Sequence, residues 1–476
     1  MIQRTQKPTI KLLNIDFNYK TDNVGYNINK EDNNLNIDYL GKYPYVSFQN
    51  VLIEPQDISY LKIFNSQFLP MLEINFTDPK SVFNDEKLPL DDSAISIFIR
   101  SSSEVLRPIR MDFKVLNFSI NKNNGGNSNL VEYHLLATLH ISELFYTPFR
   151  AMNDTSFNVL KTLSTENKLG FATNIKDTVD KMGWINPSYT VKEFMEHVTM
   201  RSYLNDSSFL FSFIDFYYNL NYVDIETELK ESTNDQYQIF ENDIKKDKND
   251  MIVTKLILNN HPDYANSNLY IDKYFISNDS TDINFRIGYS TVIYEYENNQ
   301  EKLNIMGLDT ISTTGKNNII LKGQPQDENG LYKNNQNNIY IGKYDNDNVH
   351  QNYYYAKKQN ENNLEYIQKI KMKLILSRPN FNLDRFRLVN VQLYKFNPTT
   401  DNISVPTDMT DPKAQQTDIH RDSLNTRLSG DWLITGINYT FSTKDGFQQE
   451  VNLTRRELSA FEPNNTNTPI NPTVSY

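Results

Sequence analysis

Residues 432–456 place the tightest constraint on how this chain folds. Ile437, Tyr439 and Phe441 alternate with polar residues, an Asp-Gly pair follows at 445–446, and apolar residues then return on the same face. Alternation with a period of two on both sides of an Asp-Gly turn predicts a β-hairpin with one buried face. The chain is therefore expected to contain antiparallel sheet.

Strand patterns also dominate other parts of the sequence. Between Val131 and Ile141 apolar residues again occupy every second position, and Gly125 and Gly126 suit a hairpin connection at 123–127. Further strands are predicted at 95–100, 111–120, 220–225, 252–258, 283–297, 367–376 and 386–394. Short antiparallel strands of this kind build a small barrel or sandwich.

The stretch after the first strand-rich part shows a helical period instead. A first helix is predicted to begin with Thr155 or Ser156 as its N-cap and to end at Gly170. A second helix begins with a capping box formed by Thr190 and Glu193. The aromatic stretch that follows is interpreted as a third helix over 205–218. Together these elements predict a compact α+β unit.

Length and charge narrow the class of protein. The 476 residues exceed the ~250–300 at which one hydrophobic core stops growing, so two to four domains are expected. A net charge of −11, from 59 acidic and 48 basic residues, argues against a protein that wraps nucleic acid. The absence of cysteine excludes disulfides, thiolate nucleophiles and zinc–sulfur sites. Neither a secretion signal nor an apolar membrane span is evident, so a soluble protein is expected.

The six histidines do not form a metal-binding pattern. His134 and His140 lie on one predicted strand at a separation of about 20 Å, which is too far for one metal ion. His197 is interpreted as part of a charged surface row with Glu193 and Arg201. The other three are expected to lie alone in polar loops: His261, His350 and His420. Neither a metal nor a cofactor is expected.

Motifs for other chemistry are also missing from the sequence. It contains neither a glycine-rich phosphate loop nor a G-x-S-x-G elbow. Residues 345–348 resemble the opening of a calcium loop, but His350 stands where glycine is required. No enzymatic activity is expected, although counting carboxylates leaves a glycosidase-type pair open.

Asp215 is the most conspicuous carboxylate, because it is the only charge in the apolar run 209–218 of the predicted helix. We expect it to cap backbone amides or to pair with an arginine such as Arg201. The aromatic residues of 209–222 are interpreted as a buried element rather than a sugar-binding stripe.

Two runs of sequence, 201–226 and 430–458, resemble the baseplate hub proteins of contractile-tailed phages. They resemble more loosely the type VI secretion spike protein VgrG. The stretch 133–171 is similar to the strand-then-helix passage that enters an insert domain of that family. The resemblance singles out Asp206, Phe209, Phe213, Asp215, Tyr217 and Tyr218 in the first run, and Trp432, Gly436, Tyr439, Gly446, Phe447, Arg455 and Arg456 in the second.

The resemblance implies an α+β, predominantly β fold, in which two tube-forming antiparallel β-barrels carry small α/β insert domains. The implied division is an N-terminal arm at 1–42, a first barrel at 43–141, an α+β insert at 142–215, a split second barrel at 216–255 and 366–458, a β-rich insert at 256–365, and an extended tail at 459–476.

By the same resemblance, the chain is a structural virion protein of the tail baseplate that is assembled in the host cytoplasm. Three copies form a pseudo-hexameric ring that adapts the tail tube to a three-fold spike and leaves a channel for DNA. The implied partners are two further copies of the chain, the central spike or needle, the tail-tube initiator or tube protein, and the tape-measure and baseplate wedge proteins, with DNA only as transiting cargo. A trimer carries three times the chain's −11, and a negative wall lets DNA slide without sticking.

Three alternatives stay open at this point. Tyr-rich loops suit a receptor- or glycan-binding tail protein. An unidentified carboxylate pair suits a tail-associated cell-wall hydrolase. A hub of a secretion system or of a phage-derived injection particle shares the fold and the role.

Overall fold

The computed structural model of the protein describes residues 2–15, 44–79, 82–83, 93–99, 109–122, 131–231, 257–259, 271–287, 290–297, 301–308, 336–343, 349–376, 379, 383–393, 425, 427–456 and 458. Several predicted features lie outside these residues: most of the N-terminal arm, the connection at 123–127, the calcium-like run at 345–348, His261, His420 and the tail at 459–476.

The described strands are β1 (Gln3–Gln6), β2 (Tyr45–Phe48), β3 (Val51–Ile53), β4 (Ile58–Asn65), β5 (Met71–Thr77), β6 (Ala94–Ile99), β7 (Ile109–Lys122), β8 (Val131–Leu139), β9 (Arg150–Asp154), β10 (Gly170–Thr173), β11 (Met182–Asn186), β12 (Leu210–Ile214), β13 (Asn219–Asp224), β14 (Ile257–Asn259), β15 (Ile271–Asn278), β16 (Ser290–Glu297), β17 (Lys302–Leu308), β18 (Gln336–Lys343), β19 (Ile370–Leu376), β20 (Leu388–Gln392), β21 (Gly430–Ser442) and β22 (Gly446–Arg455). The described α-helices are α1 (Ser156–Glu166), α2 (Val191–Met200), α3 (Ile225–Glu231), α4 (Ser280–Ile287) and α5 (Tyr353–Tyr366).

One large sheet of 13 strands holds most of the β-structure. Its order is β15-β19-β22-β21-β4-β5-β8-β7-β6-β2-β3, with β20 paired to β21 and β14 paired to β20. Strands from the first strand-rich part of the sequence form one side, and strands from the later parts form the other. The predominantly β fold with a few helices is thus confirmed, whereas two separate barrels and their insert domains stay a prediction.

The two sides of the large sheet meet where β4 pairs with β21. This pairing runs from Asn65, opposite Ile437, to Tyr60, opposite Ser442. The other end of β21 pairs with β20 instead, and a bulge between Ile434 and Gly436 separates the two regions. One long strand therefore has two different neighbours along the same edge.

The predicted alternation of apolar and polar residues fits the observed burial. On β8, Tyr133, Leu135 and Ala137 are buried in the main core, and on β21 Ile437 and Tyr439 are buried there too. Alternate residues of one strand share a face, so these side chains fill one side of the sheet.

A small sheet, ordered β1-β10-β13-β12, packs with α1 and α2 next to the large one. Thr155 caps α1 by accepting a hydrogen bond from the backbone N–H of Asn158 at 3.4 Å. The predicted capping box of α2 is confirmed, because the Thr190 and Glu193 side chains each accept from the other residue's backbone N–H. Both helix starts follow the predicted chemistry.

The predicted third helix is wrong. Residues 210–214 and 219–224 are the antiparallel strands β12 and β13, with a tight turn between them. Both faces of this hairpin are buried, and an element buried all round loses the period that distinguishes strand from helix. Residues 219–224 pair within the small sheet rather than the large one.

Gly170 does not end the first helix as predicted. The helix ends at Glu166, and Lys168 takes the left-handed conformation at φ 59°. Gly170 begins β10 instead, where an added Cβ would lie 2.1 Å from Asn219 Oδ1. The glycine is required by a close approach between neighbouring strands.

Among the described residues of 228–366, helices α4 and α5 are not predicted by the patterns. Residues 283–287, predicted as strand, belong to α4, and α5 follows near the end of this region. Strands β16, β17 and β18 form a separate three-stranded sheet. No helix in the described part of the chain is both long and apolar enough to cross a membrane.

Candidate functional site at the junction of the large and small sheets

The two runs that carry the resemblance meet in space. The first run supplies the aromatic hairpin, defined here as β12, β13 and their turn at 215–218, and the second supplies the closing hairpin, defined as β21, β22 and their turn at 443–445. The Phe216 and Tyr439 rings, one from each, have their centroids 5.3 Å apart. The contact between the hairpins is the candidate functional site.

Asp215 closes the turn of the aromatic hairpin. Its Oδ1 accepts hydrogen bonds from the backbone N–H groups of Tyr217 at 2.8 Å and Asn219 at 2.9 Å. The Asn219 side-chain amide donates to Oδ2 at 2.9 Å. The expected capping of backbone amides is confirmed, whereas Arg201 instead lies 4.1 Å from the centre of the Tyr353 ring. A buried carboxylate that accepts several N–H groups is a structural element of the turn.

Two tyrosines of this turn face different partners. Tyr218 has a left-handed backbone at φ 60°, and its phenol oxygen accepts from the Asp112 backbone N–H at 2.9 Å. Burial raises the pKa of this phenol well above its ordinary value. Tyr217 is buried as well, and the Arg4 guanidinium lies 5.6 Å from the centre of its ring. The turn is thereby attached both to the large sheet and to the N-terminal strand.

Arg385 fills the space between the hairpins and was not predicted. It is 3% exposed, and its guanidinium donates to the carbonyl oxygens of Thr435 at 2.9 Å, Gln67 at 2.7 Å and Ser66 at 3.2 Å. A single side chain thus bonds to both sides of the large sheet beside the bulge of β21.

The same guanidinium stacks on the aromatic hairpin. It lies 4.5 Å from the centre of the Phe213 ring, 5.7 Å from that of Phe211 and 5.2 Å from that of Phe386. Burial lowers the pKa of Arg385 to about 9, which still leaves it protonated at neutral pH. Cation–π interactions are stronger when the cation is desolvated, so Arg385 holds the aromatic hairpin firmly against the large sheet.

Phe209 and Asp206 lie at the entrance of the aromatic hairpin. The Phe209 backbone N–H donates to Asp224 Oδ1 at 3.0 Å, and burial raises the pKa of the Asp224 carboxyl. Asp206 accepts a hydrogen bond from the Tyr203 hydroxyl at 2.6 Å outside the junction. The structure therefore brings Phe213, Asp215, Tyr217 and Tyr218 to the junction but leaves Asp206 at the surface.

The closing hairpin has the predicted form. Gly446 follows the turn with φ +72°, and Tyr439 stacks on Phe447 with ring centroids 5.9 Å apart. Gly436 lies at the bulge, where an added Cβ would meet Asn452 Nδ2 at 3.1 Å and Ser66 Cβ at 3.4 Å. Of these residues, Gly436 and Tyr439 lie against the junction.

Trp432, Arg455 and Arg456 lie at the other end of the closing hairpin. The Trp432 indole N–H donates to the Leu428 carbonyl at 2.9 Å, and Arg455 lies 5.0 Å from the centre of the Trp432 ring. Burial lowers the pKa of Arg455 to about 10. Arg456 lies 4.9 Å from the centre of the Tyr366 ring of α5. These residues anchor the hairpin to its own side of the large sheet.

Helix α5 is attached to the small sheet by two buried amides that sequence reasoning missed. Asn360 accepts from the Leu210 backbone N–H at 2.9 Å and donates to the carbonyls of Met200 and Ser202, each at 3.1 Å. Gln359 donates to the Ser208 carbonyl at 2.6 Å. In a chain rich in Asn and Gln, nothing marks these two as buried.

The histidines differ from expectation at two positions. His197 is half-buried under Tyr189 and Tyr353, so the predicted position in an exposed surface row is wrong. Burial, then the charges of Arg201 and Lys357, lower its pKa to about 4. His350 is not alone in a loop, because its Nε2 lies 3.1 Å from the Arg201 carbonyl. His134 pairs with Glu73 at 3.3 Å in a half-exposed position.

A cleft of about 560 Å³ opens beside the junction. It lies between the large sheet side, at Leu116 of β7 and Phe68 of the β4–β5 connection, and the side formed by α2, at Lys192 and Glu196, with Phe211 of β12. Within the described residues, no three His, Asp or Glu side chains lie close enough to hold a metal ion.

No known protein family matches the sequence, and none of the curated proteins matches it. The fold is similar to that of a tail protein from Neisseria meningitidis MC58, with a TM-score of 0.47 and 10% identity over 87% of this chain and 97% of that one. It is similar to the 43 kDa tail protein of prophage MuSo2 from Shewanella oneidensis, with a TM-score of 0.45 and 9% identity over 87% of this chain and 97% of that one. It is also similar to a chain of the Francisella PdpA–VgrG complex, with a TM-score of 0.41 and 10% identity over 89% of this chain and 59% of that one. These similarities concern the fold alone.

Proposed function

We propose that the chain is a structural protein of a phage tail, a baseplate hub whose three copies form a ring that continues the tail tube. The observation that carries the proposal is the β4–β21 pairing, which joins two strand-rich parts of the chain into one sheet. It places β21, from the second run that resembles baseplate hubs, beside the first strand-rich part of the chain, and the Phe216–Tyr439 ring contact adds the first run.

The division of the large sheet supports a pseudo-hexameric ring. On one side of the β4–β21 pairing lie β3, β2, β6, β7, β8, β5 and β4, and on the other lie β21, β22, β19, β15, β20 and β14. Seven and six strands make two sides of similar size. Three copies would present six such sides, which suits a partner tube of six-fold symmetry above and a three-fold spike below.

The outer edges of the large sheet support contacts between copies. In the described part of the chain, β3 and β15 end the strand order and no further strand pairs with them. Leu52 on β3 is 44% exposed and Phe275 on β15 is 57% exposed. An open strand edge with exposed apolar side chains is a pairing surface, and closure into a ring would cover it.

Mass photometry of the full chain at micromolar concentration tests the ring. The expected species has three times the 55.7 kDa of one chain. Phe275→Asp should shift it to monomer, whereas Ile305→Asp, a 63% exposed apolar residue in the separate three-stranded sheet, should not. A wild-type chain that stays monomeric even with the spike protein present would overturn the proposal.

A glycan- or receptor-binding tail protein is the second candidate. Tyr146 is 66% exposed and Phe149 is 84% exposed, and both follow Phe145 at the mouth of the cleft. Exposed aromatic rings beside a cleft suit stacking on sugar rings. Binding of the isolated chain to host cells that is lost in Phe149→Ala would favour this function over the hub.

A further inference from the structure

We propose that residues 2–15 form an exchangeable strap, and that the surface which holds them binds the same segment of a second copy of the chain. The strap is defined as residues 2–15. The groove that holds it consists of the edge of β10 and the buried pair Arg110 and Asp112. This exchange does not depend on the proposed hub function.

The first half of the strap is held as an added strand. β1 pairs antiparallel with β10, with Gln3 opposite Thr173 and Arg4 opposite Ala172. The side chains of residues 3–5 are exposed. An extended segment held mainly by its backbone is the mode by which sheet edges bind separate peptides.

The second half of the strap ends in a polar site. The Leu13 backbone N–H donates to Asp112 Oδ2 at 2.6 Å, and Arg110 donates to the Leu13 carbonyl at 3.0 Å. Arg110 and Asp112 are each 3% exposed and are paired with one another. A buried carboxylate that accepts a backbone N–H specifies where the strap must end.

The connection to the rest of the chain is long enough for exchange. The 29 residues 16–44 separate the strap from β2, and a chain of that length can span on the order of 100 Å. The backbone pairing, the described hydrogen bonds to Arg110, Asp112 and Thr165, and the Arg4–Tyr217 ring contact join the strap to residues far away in sequence. Since each bond can be made equally by another copy's strap, the geometry permits domain swapping.

A disulfide between copies tests the exchange in the full chain, which has no natural cysteine. Gln3→Cys is placed on one tagged chain and Thr173→Cys on a second, differently tagged chain, and the two are co-expressed. Because these positions face each other across an antiparallel pair, a disulfide can form when the strap of one copy lies in the groove of the other. The expected result is a mixed-tag disulfide dimer, at least tenfold more abundant than with Gln3→Cys and Val179→Cys, where Val179 is 67% exposed.

Both substitutions in one chain provide the reference. If that chain forms its internal disulfide and the two-chain mixture gives no more dimer than the Val179→Cys control, strand exchange is overturned. If the doubly substituted chain forms the disulfide neither within one copy nor between copies, the groove itself is overturned.

A labelled peptide of residues 2–15 provides a second measurement. A protease site inserted between Asn29 and Lys30 lets the strap be cut from the folded full chain, and the labelled peptide should then replace it. An ester in place of the Leu13 amide, which removes the N–H that Asp112 accepts, should weaken binding at least tenfold, whereas Lys11→Ala, at an exposed position, should not. Equal binding of the ester and amide peptides would contradict the role given to Asp112.

Discussion

The aromatic hairpin and the closing hairpin are built from similar residues, yet their turns are made in opposite ways. In the closing hairpin the turn is exposed, and the Asp445 backbone N–H donates to Ser442 Oγ at 2.9 Å. In the aromatic hairpin a buried Asp215 carboxylate holds the turn, and Tyr218, not glycine, takes the left-handed position. Turns made by local, exposed residues can be recognised in a sequence, whereas turns held by tertiary burial cannot.

Loss of Arg385 should have the largest effect, because this residue joins both hairpins. Arg385→Met removes hydrogen bonds to three carbonyls and the stacking on Phe213. We expect the free energy of unfolding to fall by about 4 kcal/mol. The two tryptophans are both buried, with Trp184 in the strand pair of β9 and β11 and Trp432 in the large sheet, so urea unfolding followed by their fluorescence reports both of these regions.

Arg387→Met is the matched control for this experiment. Arg387 is two residues away and forms a half-buried ion pair with Asp384 at 3.6 Å. Its loss should cost less than about 1 kcal/mol. Equal effects of the two substitutions would show that Arg385 does not join the hairpins.

Substitution of the two turn aspartates compares the hairpins directly. Asp215→Ala leaves the backbone N–H groups of Tyr217 and Asn219 without their acceptor, and we expect a loss of about 3 kcal/mol. Asp445→Ala, at an exposed turn, should cost about 0.5 kcal/mol or less. Denaturation of both variants by urea gives the difference, and a larger loss for Asp445→Ala would reverse the comparison.

The closing turn should depend on its glycine more than on its aspartate. Gly446 has φ +72° with no atom near the position of an added Cβ, so Gly446→Ala tests backbone strain without a steric clash. A loss of about 1.5 kcal/mol is expected from the left-handed conformation. If the thermal midpoint is unchanged, the turn has adopted another conformation.

The ring contact between the hairpins should give a measurable coupling energy. Phe216→Leu, Tyr439→Leu and the double variant form a cycle, and the rings at 5.3 Å should contribute about 1 kcal/mol beyond their burial. Additive losses within about 0.3 kcal/mol would show that the hairpins are stabilised independently.

Acid should weaken the surroundings of the aromatic hairpin through His197 on α2. The pKa of His197 is lowered from 6.5 to about 4 by burial first and then by Arg201 and Lys357. The unfolded chain therefore binds this proton more readily, so the stability contributed by neutral His197 is complete above pH 6.5 and is lost as pH falls toward 4. Residues 425–458 of the closing hairpin region contain no histidine.

Thermal melts at pH 7.5 and pH 5 measure this effect. The wild-type midpoint should fall by about 2 °C more than that of His197→Gln. His350, whose pKa is also lowered by burial, is present in both proteins and cancels in the comparison. A larger pH effect in His197→Gln would contradict the assignment.

Part of the large sheet could be predicted because some of its strands, such as β5 and β8, alternate between buried and half-buried residues. β8 and the closing hairpin show clear alternation, and the capping box at Thr190 locates α2 within one residue. The aromatic hairpin is buried on both faces, so its sequence retains no period. That is why its strands were predicted as a helix.

Helix α5 is hard to predict for a different reason, because much of its buried face is polar. Three of its buried residues are Gln359, Asn360 and Asn363, so the helix has no apolar stripe to recognise. The burial of Arg385 also cannot be recognised in the sequence, since the carbonyls that accept its hydrogen bonds lie about 50 and 320 residues away. Polar groups that are buried by distant partners are visible only in the folded chain.

The pairing of β4 with β21 also cannot form until synthesis of the protein is nearly complete. About 370 residues separate Asn65 from its partner Ile437, and at ~5–20 residues per second the ribosome needs roughly 20–75 seconds to make them. Throughout that interval the edge of β4 on the nascent chain has no strand to pair with. Nascent polypeptides on one messenger RNA would share this open edge, which makes early contact with a chaperone the expected safeguard against joining the wrong copies.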